Sequence, residues 1–275
     1  MDYTPRIPTQ DPLAGLVEVF FHLEGYSPEH RIERLVPNGR VSLVIELDGR
    51  PRQVLDPQTR QARQICRGAW LSGIHSSYLL IGDVGPDTRL MAVSFGVAGA
   101  YPFLHTALAE INDRVVDATD LLGPEILELR QALADQTTPA NALDRLEQWL
   151  VARHDPERQA PPVVETAVAA ILAGQAEGSL TRLVEESGDI SYKHFLQLFK
   201  RHVGPSPKVL QRILRFAQIF ERVVGQEEID WADLSADLGY ADQSHLIREF
   251  AAFSGYRPQR FAAEGHQRVN FFPDD

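Results

Sequence analysis

The sequence predicts an α+β protein of two domains. The first is an N-terminal β-sandwich or small barrel with a helical hairpin. The second is a C-terminal all-α domain with two helix-turn-helix motifs joined by a long helix. Three observations predict this. Residues 1 to about 123 hold short apolar runs at period two, punctuated by turn residues. From residue 124 the apolar spacing changes to that of helices. Between the halves, residues 154–162 (HDPERQAPP) form a polar, Pro-rich break. The expected domains are residues 1–155, a β-rich domain with trailing helices, and residues 163–268.

Several strands can be placed in the first half. Residues 17–23 (VEVFFHL) are apolar and aromatic-rich. In residues 40–47 Val41, Leu43, Ile45 and Leu47 point one way, and Ser42, Val44 and Glu46 the other, before an Asp48-Gly49 turn. Further strands are expected near residues 67–71, 78–82 and 89–95. Residues 101–108 look helical, and residues 111–116 fit either state. Two helices follow. The first opens at Pro124, and the second carries Leu143, Leu146, Trp149 and Leu150. Such a hairpin either caps the β-domain or forms a dimer seam.

The composition narrows the function. The 275 residues are 44% hydrophobic and 24% charged, with a net charge of −11, enough to build real cores. No run of about 18 apolar residues predicts a membrane span. The N-terminus has no basic flank and apolar run of a leader, so a cytoplasmic protein is expected. Cys66 is the single cysteine, which excludes an internal disulfide or a cysteine zinc site. A buried, inert thiol is favoured over a sensor thiol. His22, His30, His75 and His105 are scattered, and Ser72, Ser76 and Ser77 lie in no nucleophile elbow. Glu18, Glu24, Glu33 and Glu46 become a site only if folding brings them together. No catalytic residue, metal site or cofactor is assigned.

In the second half, residues 163–173 form an apolar helix. Ser179 is placed to cap residues 180–186, residues 187–189 to turn, and Ser191 to cap a helix over residues 192–202. Phe195, Leu198 and Phe199 are its core stripe. Gly204 stops it, and Pro205-Ser206-Pro207 starts a long helix to about residue 224. The second motif occupies residues 231–261. A short helix there carries Leu234 and Leu238 and breaks at Gly239. Asp242 then caps a helix with Leu246, Phe250 and Phe253 inward and Gln243, Ser244, Ile247 and Arg248 outward. Amide, hydroxyl and guanidinium groups of this kind bond base edges and phosphates in a major groove. An ordinary helical hairpin with a solvated outer face has the same periodicity.

The charge is unevenly spread. Residues 191–220 hold Lys193, Lys200, Arg201, Lys208, Arg212 and Arg215 and no Asp or Glu. One basic window on an acidic protein suits a local phosphate-binding surface.

Gly239-Tyr240, Gln243-Ser244-His245, Arg248-Glu249-Phe250, Gly255 and Pro258 closely resemble the second helix-turn-helix of AraC/XylS-type transcriptional regulators. Phe199-Lys200-Arg201 with Gly204, Ser206 and Pro207 resembles the first. Residues 31–49, Asp56-Pro57-Gln58-Thr59, residues 95–100 (FGVAGA) and residues 108–123 are similar to the β-rich N-terminal domain of one branch of that family. Gly96-Val97-Ala98 stands where that branch usually carries Arg-Pro-Gly.

The resemblance implies sequence-specific binding of double-stranded DNA, with one recognition helix in each of two adjacent major grooves. Lys193, Leu196 and Gln197 take base-facing positions of the first helix, and Gln243, Ser244 and Arg248 those of the second. Leu196 either meets a thymine methyl or is core. Lys200 and Arg201 are the phosphate candidates. His194, His202 and His245 either pack or cap, or contact the DNA bases. A small-molecule effector at the N-terminal domain, RNA polymerase and a second copy of the chain are the other implied partners. The rival readings are a protein-interaction adaptor and an enzyme using the β-domain.

Overall fold

The structure, a computed structural model, describes residues 1–174, 177–187, 190–223, 226, 229–263 and 271–274. Its strands run in chain order as β1 (Asp2–Arg6), β2 (Val17–Tyr26), β3 (Ile32–Leu35), β4 (Ser42–Glu46), β5 (Arg52–Leu55), β6 (Ala62–Cys66), β7 (Ala69–Ser72), β8 (Leu79–Gly82), β9 (Thr88–Phe95), β10 (Val115–Asp117) and β11 (Phe271–Pro273). They form two sheets, ordered β1-β2-β9-β4-β7-β10 and β11-β3-β8-β5-β6. Two open sheets make a sandwich, not a closed barrel.

The six-stranded sheet is covered on both faces. Leu43, Ile45, Met91, Val93 and Phe95 join the main core, as do side chains of helices α1 (Ala118–Leu122), α2 (Glu125–Ala134) and α3 (Pro139–Arg153). Val44 and Trp70 join a smaller cluster with Val54, Cys66, Leu79 and Ile81 of the other sheet. The helical hairpin thus caps the sandwich within the chain. Thr138 caps α3 by accepting from Asn141 N. Cys66 is buried, and desolvation followed by the charge of Asp117 pushes its thiol up to about 11, as expected for an inert thiol.

The structure departs from expectation in several places. Glu46, on the strand face opposite Leu43 and Ile45, is 1% exposed. Its carboxylate accepts from Gly49 N and lies 3.6 Å from Arg130. Strands β1, β3, β5 and β6 were not expected, because polar and Arg-rich sequences such as ARQIC and IERL lack clean alternation. In place of a helix over residues 101–108 there is a 3-10 turn, Tyr101–Phe103, with a second turn at Leu108–Glu110. Residues 111–116 resolve into a turn and β10. The Pro-rich break is docked rather than loose: Asp155 N donates to Pro102 O at 3.0 Å, and Arg158 lies over Tyr101.

The C-terminal half contains α4 (Pro162–Leu172), α5 (Glu177–Ser187), α6 (Tyr192–His202), α7 (Pro207–Val223), α8 (Trp231–Asp237), α9 (Gln243–Ser254) and α10 (Pro258–Ala263). Helix α5 starts two residues before Ser179, so Ser179 is not its cap; the side chain of Ser179, residues 188–189 of the expected turn and Val224 lie outside the described residues. Among the described residues no helix is long and apolar enough to cross a membrane.

Both motifs are seated on the sandwich. Val97 and Ala98 belong to the core of α4–α7, and the main core runs on into Phe216, Phe220, Phe250 and Phe261. Gly99 allows a close approach there, since an added Cβ would lie 1.9 Å from Leu16 O. At the end of α6, His202 packs edge-on against Tyr101, with ring centroids 4.4 Å apart.

His202 is 5% exposed, and burial, then the charge of Arg201, lowers its pKa to about 4. The unfolded chain takes up that proton near pH 6.5. The folded pKa is depressed, so this group's contribution is intact above about pH 6.5 and is lost as pH falls toward 4. Replacing His202 with Gln should reduce the slope of stability against pH in that window by up to about 1.4 kcal/mol per pH unit. Urea denaturation between pH 7 and 4.5 measures this; an unaltered slope would place the acid sensitivity elsewhere.

Candidate nucleic-acid interface

The second helix of the first motif, α6, is defined at both ends by its sequence. Ser191 accepts from His194 N at 3.2 Å, and Gly204 follows the last turn at φ 111°. Phe195 and Phe199 are fully buried, which fixes the rotation of the helix. Lys193, His194, Gln197, Lys200 and Arg201 are then all exposed. Lys193, Gln197 and Lys200 fall at i, i+4 and i+7 and share one face. Leu196 is half-buried against the α4–α7 core, so it is core-side rather than a free base contact.

The second helix of the second motif, α9, is capped by Asp242, which accepts from His245 N at 2.7 Å, and ends at Gly255 with φ 72°. Leu246, Phe250 and Phe253 are buried, while Gln243, Ser244 and Arg248 are exposed. His245 is half-buried. Its ring meets Tyr240 edge-on and its Nε2 lies 4.0 Å from Glu249, so it packs into the motif.

Glu249 fastens α9 in place. It is 5% exposed, and its carboxylate accepts from Arg212 Nε at 2.5 Å and Arg215 Nη2 at 3.1 Å, both on α7. Burial pushes the carboxyl upward, but the hydrogen bonds and charges of the two arginines outweigh that and hold it below its usual range. Arg215 also lies over Tyr240 at 4.1 Å and donates to Gly239 O at 3.4 Å. The turn and the second helix of the second motif are therefore tied to one side chain of α7.

This corrects the charge reading. Arg212 and Arg215 counted toward the basic window, but they are engaged by Glu249. Lys193, Lys200, Arg201 and Lys208 are the exposed basic groups of that window. Glu249 had a signal in the sequence: it falls at i+3 from Leu246 and i−4 from Phe253, on the buried stripe.

Helix α7 connects the two motifs. Its 17 residues span about 26 Å at about 1.5 Å per residue. Ile213, Phe216, Ile219 and Phe220 are fully buried along it. Phe216 and Phe220 contact Phe250, with ring centroids 5.8 and 5.2 Å apart.

The remaining candidates fall in separate places. Glu18 pairs with Arg40, Glu33 with Tyr26 and His30, and Glu46 with Arg130, each in its own surroundings. Ser72 Oγ lies 3.0 Å from His75, while the carboxylate of Asp113 is bonded to Ser76. Among the described residues no group of three or more His, Cys, Asp or Glu side chains is arranged to hold a metal ion.

Two capped helices, each the second of a helix-turn-helix and both borne by one connecting helix, make the C-terminal half a double helix-turn-helix, similar to the DNA-binding domains of AraC-type transcription regulators. Residues 186–264 match a family described as a helix-turn-helix domain, and residues 5–117 match a domain family of unknown function, DUF6597. The chain is 31% identical over 96 residues to the invasion protein InvF of Salmonella typhi and of Salmonella typhimurium. That alignment takes in 34% of this chain and 44% of the relatives' length, so the chain spans less than half of the curated relatives it matches. Among solved structures, ToxT from Vibrio cholerae aligns with 89% of this chain and 98% of its own, at TM-score 0.45 and 8% identity. An unsaturated fatty acid bound form of wild-type ToxT aligns with 88% and 94%, at TM-score 0.44 and 9% identity.

The fastening role of Glu249 is testable without DNA. Glu249→Ala leaves two arginines without their buried acceptor and should cost about 1–3 kcal/mol of stability, measured by urea denaturation. Arg248→Ala, on the exposed face, should stay within about 0.5 kcal/mol of the parent.

Proposed function

We propose that this protein is a sequence-specific, DNA-binding regulator of transcription that inserts α6 and α9 into adjacent major grooves on one side of a duplex. The observation that carries the reading is the pair of exposed polar faces on two capped helices joined by one α7 of about 26 Å. Successive major-groove faces are about 34 Å apart, so bending of the duplex between the grooves accommodates the shorter span. The first motif supplies phosphate affinity through Lys200 and Arg201, with Lys193 and Gln197 at base edges. The second reads bases with Gln243, Ser244 and Arg248. The N-terminal sandwich is the site for control by a small effector: a ligand that favours one domain arrangement shifts DNA binding by its differential affinity for the two.

Selection from random duplex DNA by the full chain tests the proposal directly. Enrichment of a motif spanning about two helical turns is expected. No enrichment with the full chain or with residues 160–275 alone would overturn the DNA-binding reading and favour a protein-interaction adaptor. Two substitutions separate the roles. Arg248→Ala should weaken binding to the selected site by about 1–3 kcal/mol and to random duplex much less; equal losses would assign it to phosphate. Lys200→Ala should reduce the magnitude of the slope of log K against log salt by roughly 0.9, measured by anisotropy titrations at several salt concentrations.

A further inference from the structure

The segment Phe271–Asp274 is joined to the sandwich, far from its place in the sequence. It pairs antiparallel with β3, Phe271 opposite Leu35, Phe272 opposite Arg34 and Pro273 opposite Glu33. Asp274 N donates to Ile32 O at 3.1 Å. Asp274 is 5% exposed, and its carboxylate accepts from Arg34 Nη2 at 2.5 Å and lies 3.2 Å from Arg60 Nη2.

Arg34 connects this segment to the second motif. It is 8% exposed. Its Nη1 donates at 2.8 Å to the carbonyl of Ser254, the last residue of α9. A cation there also complements the negative end of the helix. The guanidinium lies 4.4 Å from the ring centroid of Tyr78 in the sandwich and 4.1 Å from that of Tyr256 just beyond α9. A single buried cation therefore joins β3, the end of α9 and the carboxylate of Asp274. Removing that carboxylate takes from Arg34 its nearest opposite charge and uncovers the β3 edge.

We propose that Phe271–Asp274 is an intramolecular clasp that holds the second helix-turn-helix against the sandwich and lowers the chain's affinity for DNA. The second half of the statement rests on the function proposed above. Two physical reasons set the sign. Both motifs are docked on the sandwich, so the closed form restricts the adjustment of α9 relative to α6 that two grooves of a bent duplex require. The docked body is also rich in acidic residues, and holding it against the helix-turn-helix domain opposes the approach of a polyanion.

Three forms of the full protein test this: the parent, a chain ended after residue 270, and Leu35→Cys with Phe271→Cys in a Cys66→Ser background. Directly opposed antiparallel residues lie about 4.5–5.5 Å apart at Cα, within disulfide reach. The oxidised form is thus locked shut and reduction frees it. The first readout is hydrogen exchange without DNA. Shortening the chain should speed exchange across residues 250–256, and locking should slow it. The second is anisotropy with a labelled duplex. The shortened chain should bind at least about fivefold tighter than the locked form, and reduction should restore the locked form to the parent's affinity. Unchanged exchange at residues 250–256 would overturn the clasp. Altered exchange with equal affinities would overturn its control of DNA binding. Altered exchange with no duplex bound by any form would overturn the proposed function and leave the mechanical hold standing.

Discussion

The C-terminal domain depends on one carboxylate shared between two arginines. Glu249 is buried and would be costly to ionise there alone. Arg212 and Arg215 on α7 reverse that cost, and in doing so they fix where α9 sits. Because Arg215 also covers Tyr240 and reaches the Gly239 carbonyl, the turn and α9 share one anchor. The aromatic contacts of Phe216 and Phe220 with Phe250 supply apolar burial along the same seam. Hydrophobic contact alone is non-directional. The ion pair gives the seam a register.

The second constraint is the joining of the domains. The main core continues from the sandwich into the second motif, and Val97 and Ala98 enter the core of the first. The Pro-rich stretch that reads as a linker is bonded to Pro102 and covers Tyr101. Its prolines favour extended backbone, and that backbone is laid along a surface with acceptors available. Composition signals the boundary between periodic patterns, whereas freedom of movement depends on contacts made elsewhere.

Much of the fold is readable from the residues because the signals are local. Ser191 and Asp242 cap the helices they precede, Gly255 adopts the left-handed C-cap, and the 41–47 alternation marks a buried face. What could not be read depends on distant partners. Strand β3 buries Glu33 on one face and Arg34 on the other, and their burial is compensated by Tyr26, Ser254 and Asp274, between 7 and 240 positions away. Glu46 likewise looks solvated until Arg130 is placed beside it. For the candidate interface, the exposed residues could be named from periodicity, but charge counting overstated the basic surface. It cannot distinguish an arginine facing solvent from one engaged by a buried glutamate.

The arrangement of α9 keeps two tasks on separate faces. Gln243, Ser244 and Arg248 point to solvent, while Leu246, Glu249, Phe250 and Phe253 do the fastening. No hydrogen bond of the Glu249 anchor passes through the outward residues. The outward positions can therefore be rewritten as a set, by natural drift or by engineering, without disturbing how the helix is mounted. Under the function proposed above, a protein built this way can be retargeted to new sequences through a handful of codons, with its folding left intact.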